Sequence, residues 1–172
     1  VFVDNKYFDI TSTVLASVQA SFDAGATFVT VHALNGMETL KALAELENKL
    51  KERRPFKVLA VTILTSWDQN SLPENLKPVS ISDHVVSLSH QVMQSGLSGI
   101  VCSGHELSLL KNHSLYKVVP GIRLEEDLQE KLQDQKRVMT PRQALSQGAS
   151  ALVIGRSILN SPHPQLTVKK IL

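Results

Sequence analysis

An aspartate and a lysine stand two residues apart at the end of the first apolar segment, as Asp4 and Lys6. Strand side chains alternate between faces, so both groups point the same way, toward a barrel interior or the mouth of a cleft. A carboxylate and an ammonium held side by side in a partly dry site can position and deliver a proton. The alternative is a solvated ion pair at a strand end, which is common and contributes little.

Glycine closely followed by arginine occurs at two further candidate strand ends, as Gly121 with Arg123 and as Gly155 with Arg156. Glycine lets the backbone come close to a ligand, and the planar guanidinium matches phosphate oxygens. For either arginine alone, a solvated loop residue is the simpler interpretation. Two such ends on neighbouring strands favour a phosphate held between the two loops.

The remaining candidate side chains give weaker signals. His32 ends the second apolar segment and is interpreted as a structural histidine, although it could face the same site. Cys102 lies within an apolar segment without an activating partner, so a small core residue is expected rather than a nucleophile. Trp67 is expected to seal a rim. No His, Cys and Asp grouping has zinc spacing, so no metal is predicted.

Six short segments rich in Val, Ile and Leu must position these groups, and they alternate with segments of helical period. The predicted strands cover residues 1–5, 27–32, 56–64, 99–103, 115–120 and 151–155. Strict alternation predicts βα units and a parallel sheet covered on its faces. In such folds ligands bind beyond the carboxyl ends of the strands, where Asp4, Lys6 and both arginines lie.

Several helix ends carry recognisable signals. Asn35 with Glu38 predicts a capping box, and so does Thr140 with Gln143, where Pro141 takes the first helical position. The first helix is predicted to stop at Gly25, and further helices are predicted over residues 82–95, 105–112 and 164–172.

Length and composition exclude several classes of protein. The 172 residues, 42% of them hydrophobic, suit one domain covering residues 1–172. The net charge of +2 with intermixed signs gives no basic stripe for nucleic acid, and no apolar run is long enough to predict a membrane span. A single cysteine rules out an internal disulfide and fits a reducing, cytoplasmic compartment.

These strand ends together resemble the orotidine 5′-phosphate decarboxylase family, nearly from end to end. The run from Asp4 through Lys6 to Asp9 is similar to the family's D-x-K-x-x-D signature. Further segments follow in the family's order at residues 31–33, 61–66, 101–103, 120–123, 134–141 and 154–156.

The resemblance implies a role for each matching residue. Lys6 would protonate C6 of the pyrimidine as carbon dioxide leaves, and Asp4 would hold Lys6 near the substrate carboxylate. Asp9 would reach into the site of a neighbouring subunit, which implies a homodimer with shared active sites, and Ile10 would line the same site. Thr65 would bind the pyrimidine, with Ser66 as the alternative. The 5′-phosphate would be held by Arg123, Gln135, Gly155 and Arg156.

The resemblance also implies a fold and an activity. The expected fold is a phosphate-binding TIM (β/α)8 barrel, a fold that typically needs about 250 residues. The signature resembles the third strand of the family's barrel, so the six predicted strands correspond to the third through eighth, with the first two apparently missing. The implied activity is cofactor-independent decarboxylation of orotidine 5′-phosphate to UMP in pyrimidine biosynthesis, impaired in an incomplete barrel.

Two alternatives stay open at this point. The segment 124–134 is acidic and lacks the glycines usual in this loop of the family, which motivates a non-catalytic phosphate- or nucleotide-binding barrel remnant. A related sugar-phosphate decarboxylase would share the Asp-x-Lys strand but would carry a metal-binding acidic pattern that is not evident here.

Overall fold

Six strands follow one another along the chain, and each except the fourth is followed by an α-helix, where the sequence predicts strict alternation; the fourth is followed by a 3-10 turn. The computed structural model describes residues 1–125 and 137–171. The strands are β1 (Phe2–Tyr7), β2 (Phe28–His32), β3 (Lys57–Val61), β4 (Gly99–Val101), β5 (Tyr116–Val119) and β6 (Ala151–Leu152). The helices are α1 (Thr11–Asp23), α2 (Gly36–Lys51), α3 (Ile81–Ser95), α4 (Pro141–Ser146), α5 (Arg156–Leu159) and α6 (Pro164–Ile171), with 3-10 turns at Ala33–Asn35 and Gly104–Glu106.

Two helix starts show how side chains set the boundaries. The Ser80 hydroxyl accepts a hydrogen bond from the amide of Asp83 and begins α3, which ends at Gly96 in the left-handed conformation with φ of 90°. The capping box predicted at Thr140 with Gln143 is confirmed, with Pro141 as the first residue of α4. These local signals were sufficient to place both helices.

All six strands are parallel and lie side by side in chain order, from β1 to β6. The pairing of β1 with β2 is irregular: Val3 pairs with Val29 and Tyr7 with Val31, so three residues of β1 stand opposite the single residue Thr30. This bulge lies at the carboxyl end of β1, where the sequence places Asp4 and Lys6.

The sheet is strongly curled. Phe28 of β2 and Tyr116 of β5 stack with their ring centroids 6.0 Å apart, although two strands lie between them. Three strand spacings in a flat sheet would separate the two positions by about 14 Å. The two rings therefore meet across a concave face, and the arrangement is that of six consecutive units of a (β/α)8 barrel, which confirms the predicted fold class.

The two faces of the curled sheet carry different side chains. On the convex face, buried aliphatic side chains of the strands pack with those of the helices in one apolar cluster, which includes Val14, Val18, Val29, Val31, Leu40, Leu43, Val58, Ala60, Val85, Val92 and Ile100. The concave face carries the alternate positions, among them Asp4 and Thr30. Apolar packing thus fixes the strands from outside and leaves polar groups pointing inward.

Two details differ from the sequence prediction. Asn35 precedes α2, but the capping box with Glu38 is wrong because the Asn35 side chain makes no capping hydrogen bond. Its amide donates instead to the carbonyls of Tyr7 and His32, each at 2.9 Å, and ties the end of β1 to the end of β2. The helix predicted over residues 105–112 is replaced by the 3-10 turn Gly104–Glu106 and further turns.

None of the described helices is long and apolar enough to cross a membrane.

Candidate active site

Asp4 and Lys6 form an ion pair at the carboxyl end of β1. The Lys6 ammonium Nζ lies 2.9 Å from Asp4 Oδ2, and the two side chains are 37% and 52% exposed. Lys6 has φ of 50° and is the only non-glycine residue with a positive φ in the described part of the chain. Such a backbone is unfavourable for a residue with a Cβ and persists where the surroundings impose it. The pair is therefore held in a special conformation, unlike an ordinary surface ion pair.

Thr30 of β2 contacts both members of the pair. Its hydroxyl accepts a hydrogen bond from the Lys6 backbone amide at 2.9 Å and donates one to Asp4 Oδ1 at 2.9 Å. The residue is fully buried. Sequence reasoning missed Thr30, although a polar residue alternating with Val29 and Val31 marks an inward position in a strand.

A cleft of about 240 Å³ opens beside Asp4 and Lys6. Its lining comes from five strands or the loops that follow them: Phe2, Asp4, Lys6, Val61, Ile63, Leu64, Thr65, Val101, Cys102, Pro120 and Val153. Thr65 lines this cleft, whereas the exposed Ser66 is not among the lining residues, so the geometry favours Thr65 of the two predicted alternatives. A larger hollow of about 460 Å³ near α4 and α6 includes none of the predicted site residues.

His32 lies at the end of β2, close enough to Lys6 for the charge to matter. Burial lowers the pKa of His32, and the positive charge of Lys6 lowers it further. Its Nδ1 accepts a hydrogen bond from the amide of Leu34 at 3.2 Å, which a neutral imidazole can do. Its ring also contacts that of Phe8, with centroids 5.8 Å apart. These contacts hold the His32 ring in place beside the site.

Asp9 and Ile10 lie outside the cleft, on the surface between β1 and α1. Asp9 Oδ1 accepts a hydrogen bond from the amide of Ile10 at 2.7 Å, and the amide of Asp9 donates to the Asn35 side chain at 3.4 Å. Ile10 is 70% exposed and the neighbouring Phe8 is 64% exposed. Two large apolar side chains are therefore exposed beside Asp9.

Arg123 and Arg156 follow the ends of two adjacent strands, β5 and β6. Arg123 is 5% exposed, and its Nη1 donates to the carbonyl of Ile122 at 2.8 Å. Arg156 is half-buried and begins α5 immediately after Gly155. A Cβ added at Gly155 would meet no atom within 4 Å, so open space lies beside this backbone. Gln135, predicted to bind the same phosphate, lies outside the described residues.

A buried ion pair links three loops behind the cleft. Arg137 Nη1 donates to Glu106 Oε1, and Arg137 Nη2 donates to the carbonyls of Ile63 at 3.5 Å and Leu64 at 3.3 Å. The side chains of Arg137 and Glu106 are 11% and 3% exposed. Burial raises the pKa of Glu106, and the charge of Arg137 partly opposes that rise. This pair fixes the segment that leads from Ile63 to Thr65.

Cys102 contacts the cleft but is poorly suited to react. It is 1% exposed, and burial raises the pKa of its thiol to about 12. The thiolate is the reactive form, so the prediction of a core residue is confirmed.

No group of three or more metal-binding side chains occurs within residues 1–125 and 137–171.

Comparisons with known proteins agree on one family. The model of the Orotidine 5′-phosphate decarboxylase / HUMPS family matches residues 1–171. The orotidine 5′-phosphate decarboxylase of Tolumonas auensis is 38% identical over 174 residues, covering 99% of this chain and 74% of that protein. The enzyme of the same name from Aquifex aeolicus is 38% identical over 178 residues, covering 100% of this chain and 72% of that protein.

Two solved structures share the fold of this chain, and one of them is named for the same family. The crystal structure of orotidine 5′-phosphate decarboxylase from Lactobacillus acidophilus matches with a TM-score of 0.81 and 31% identity, covering 99% of this chain and 72% of that one. An uncharacterized conserved protein from Geobacillus kaustophilus matches with a TM-score of 0.78 and 30% identity, covering 99% of this chain and 74% of that one. The chain thus spans about three quarters of the length of these relatives.

Proposed function

Because this chain belongs to the Orotidine 5′-phosphate decarboxylase / HUMPS family, we propose that it decarboxylates orotidine 5′-phosphate to UMP, a step of pyrimidine biosynthesis. The observation that carries the proposal is the Lys6 ammonium, held 2.9 Å from Asp4 in a left-handed backbone conformation at the edge of a cleft. The relatives from Tolumonas auensis and Aquifex aeolicus are named for this activity. Thr65, which we propose to bind the pyrimidine, lines the cleft.

The proposed reaction needs one bond broken and one formed. The bond between C6 and the substrate carboxylate breaks, carbon dioxide leaves, and the electron pair stays on C6. Lys6 then donates a proton to C6, and its amine regains a proton from water. Its positive charge stabilises the carbanion before that transfer, so one side chain supplies both electrostatic stabilisation and general acid catalysis. Asp4 holds the ammonium in place, and we propose no metal or cofactor.

We assign the phosphate to the loops after β5 and β6. Arg123 and Arg156 supply guanidinium groups, Gly155 leaves room for close approach, and Gln135 is proposed as a further ligand. The space beside Gly155 makes this testable, because Gly155→Ala introduces no clash within the protein. We expect Gly155→Ala to raise KM for the nucleotide at least about tenfold, since the methyl occupies space needed by the ligand. The Gly155 backbone, with φ of −104° and ψ of −91°, lies outside the regions that alanine favours, so Tm is measured alongside KM. An unchanged KM would argue against a phosphate at this position.

The decarboxylation itself is tested with the purified full-length protein and orotidine 5′-phosphate. Release of carbon dioxide and formation of UMP are measured for wild type, Lys6→Ala and Lys41→Ala, the last being an exposed lysine of α2 that serves as the matched control. We expect Lys6→Ala to lose at least about 10³-fold in kcat, because general acid catalysis and charge stabilisation each contribute about 10²-fold or more. Lys41→Ala should stay within about twofold, in the range expected for an exposed surface change.

The other outcomes of that assay identify the alternatives. Tight UMP binding without turnover by wild type would indicate a nucleotide-binding barrel. Turnover of a sugar phosphate in place of orotidine 5′-phosphate would indicate the related carboxy-lyases. Lys6→Ala activity within tenfold of wild type would refute the role given to Lys6. The same assay on the 172-residue chain measures whether it is active by itself.

We further propose a cytoplasmic homodimer in which Asp9 and Ile10 complete the partner's site. The exposed Phe8 and Ile10 beside Asp9 support this arrangement. Mixing Lys6→Ala with Asp9→Ala should restore activity to about a quarter of wild type, because half of the dimers are mixed and each contains one intact site. No restoration, despite exchange of subunits shown by mass spectrometry, would mean that the sites are not shared. The single cysteine, a buried free thiol, fits the reducing cytoplasm.

A further inference from the structure

The bulge between β1 and β2 leaves a specific hydrogen-bonding problem. Regular pairing stops after Val3 with Val29 and resumes at Tyr7 with Val31, so Asp4, Asn5 and Lys6 face Thr30 alone. A bulge of this kind bends the strand and redirects side chains, but it removes backbone groups from the ladder. The amide of Lys6 is one such group, and its hydrogen bond goes to the Thr30 hydroxyl.

The Thr30 hydroxyl also reaches the catalytic carboxylate. It donates to Asp4 Oδ1 at 2.9 Å, while Asp4 Oδ2 lies 2.9 Å from Lys6 Nζ. The contacts form a closed ring that runs from the Lys6 amide through Thr30 and Asp4 back to the Lys6 ammonium. A hydroxyl has one proton to donate and lone pairs that accept, so one side chain satisfies both neighbours at once.

We propose that Thr30 is a positioning residue for the decarboxylation: it stabilises the bulge and the left-handed backbone of Lys6, and thereby directs the Lys6 ammonium at the reacting carbon. This inference rests on the proposed function, because the direction of the ammonium matters only if Lys6 protonates the substrate. Thr30 itself is fully buried beneath the pair and acts through Asp4 and Lys6.

The hydroxyl, rather than the shape of the side chain, carries this role. Thr30→Val keeps the volume and the β-branch but leaves the Lys6 amide and Asp4 Oδ1 without their partner, which favours a backbone in which both find water. Thr30→Ser keeps the hydroxyl. Thr167→Val is the matched control, because Thr167 of α6 is also a buried threonine with a hydrogen-bonded hydroxyl. That hydroxyl donates to the Ser161 hydroxyl and to the carbonyl of His163, both of which precede α6.

Steady-state kinetics of the full-length protein separate positioning from stability. We expect Thr30→Val to lower kcat about 10- to 100-fold, the effect of displacing a reacting group by about 1 Å, with KM within about threefold. Thr30→Ser should recover kcat to within about fivefold of wild type, and Thr167→Val should match wild type in both parameters. A Thr30→Val enzyme with wild-type kcat, or one in which Thr30→Ser is as impaired as Thr30→Val, would overturn the proposal.

A crystal structure of Thr30→Val distinguishes a failure of this inference from a failure of the proposed function. If wild type releases no carbon dioxide, the proposed function fails. The variant structure still tests whether Thr30 holds the Lys6 backbone and ammonium in place. The expected result is that Lys6 leaves the left-handed region and the contact between Lys6 Nζ and Asp4 Oδ2 lengthens. A Lys6 φ that stays near 50° with that contact intact would show that Thr30 positions neither group.

Discussion

Removing Arg137 should expose the energetic importance of the buried pair behind the cleft. In Arg137→Met, the Glu106 carboxyl group, 3% exposed, loses its charged partner, and the carbonyl of Ile63 loses a donor. The carbonyl of Leu64 keeps its hydrogen bond from the amide of Trp67 at 3.1 Å, so little is lost there. Breaking a buried ion pair by deleting one member costs about 3–5 kcal/mol. That is a large part of the about 5–15 kcal/mol by which a domain is stable.

The pH dependence of stability is a second test of Arg137→Met, and its direction does not depend on how large the loss of stability is. Burial already raises the pKa of Glu106 above its ordinary value of 4.5, and removing Arg137 raises it further. Above about pH 4.5 the unfolded chain has released this proton while the folded chain retains it, so the folded state binds more protons. The stability of Arg137→Met should therefore fall as pH rises from 4.5, and fall more steeply than that of wild type.

Urea unfolding at several pH values measures both effects. A double-mutant cycle with Glu106→Gln provides the control, because Gln removes the carboxylate charge at nearly constant volume. The double variant should be more stable than the sum of the two single changes by about 1–3 kcal/mol. Arg137→Met within about 1 kcal/mol of wild type, or two single changes that simply add, would refute the view that this pair is energetically coupled.

Three further predictions concern other buried groups. Burial raises the pKa of Glu47 above 4.5, so this group, like Glu106, lowers wild-type stability as pH rises past that value. Glu47→Gln, which can keep the contact with Ser98, should remove the Glu47 contribution, make the fall shallower and add on the order of 1 kcal/mol at pH 7 in urea unfolding. A Cβ added at Gly99 would lie 2.5 Å from Leu59 Cδ2, so Gly99→Ala should cost about 1–3 kcal/mol in calorimetry, and an unchanged Tm would contradict the tight packing inside the sheet. With its pKa raised to about 12, the Cys102 thiol should resist iodoacetamide at pH 8 until the protein is unfolded, and rapid labelling of the native protein would contradict its burial.

The strand pattern was predictable because it depends on residues that are neighbours in sequence. Each of the six strands was found from its local run of β-branched and aliphatic residues, and the cap at Thr140 from residues within one helical turn. Asn35 was mispredicted because its amide reaches carbonyls at Tyr7 and His32, one of them 28 residues away. A tertiary contact of that kind replaces the local cap, and nothing in the adjacent residues indicates it.

The proximity of Asp4 and Lys6 in the candidate site was predictable, but its geometry was so only in part. Asp4 and Lys6 were identified from their spacing, yet the bulge that brings them together depends on the register between β1 and β2. Thr30 was missed for the same reason, because its role exists only once the two strands are paired. Arg137 was missed because its partner Glu106 and the carbonyls behind Thr65 come from loops far apart in sequence.

In β2, burial alone does not distinguish the side chains that pack against the helices from the one that contacts the candidate site. Val29, Thr30 and Val31 are all 0% exposed, yet the two valines pack against the helices while Thr30 faces Asp4 and Lys6. A saturation scan of this strand, scored once by thermal stability and once by turnover, should therefore give two profiles with a period of two that are out of phase. Directed evolution aimed at stability would then sample Val29 and Val31, and directed evolution aimed at turnover would sample Thr30.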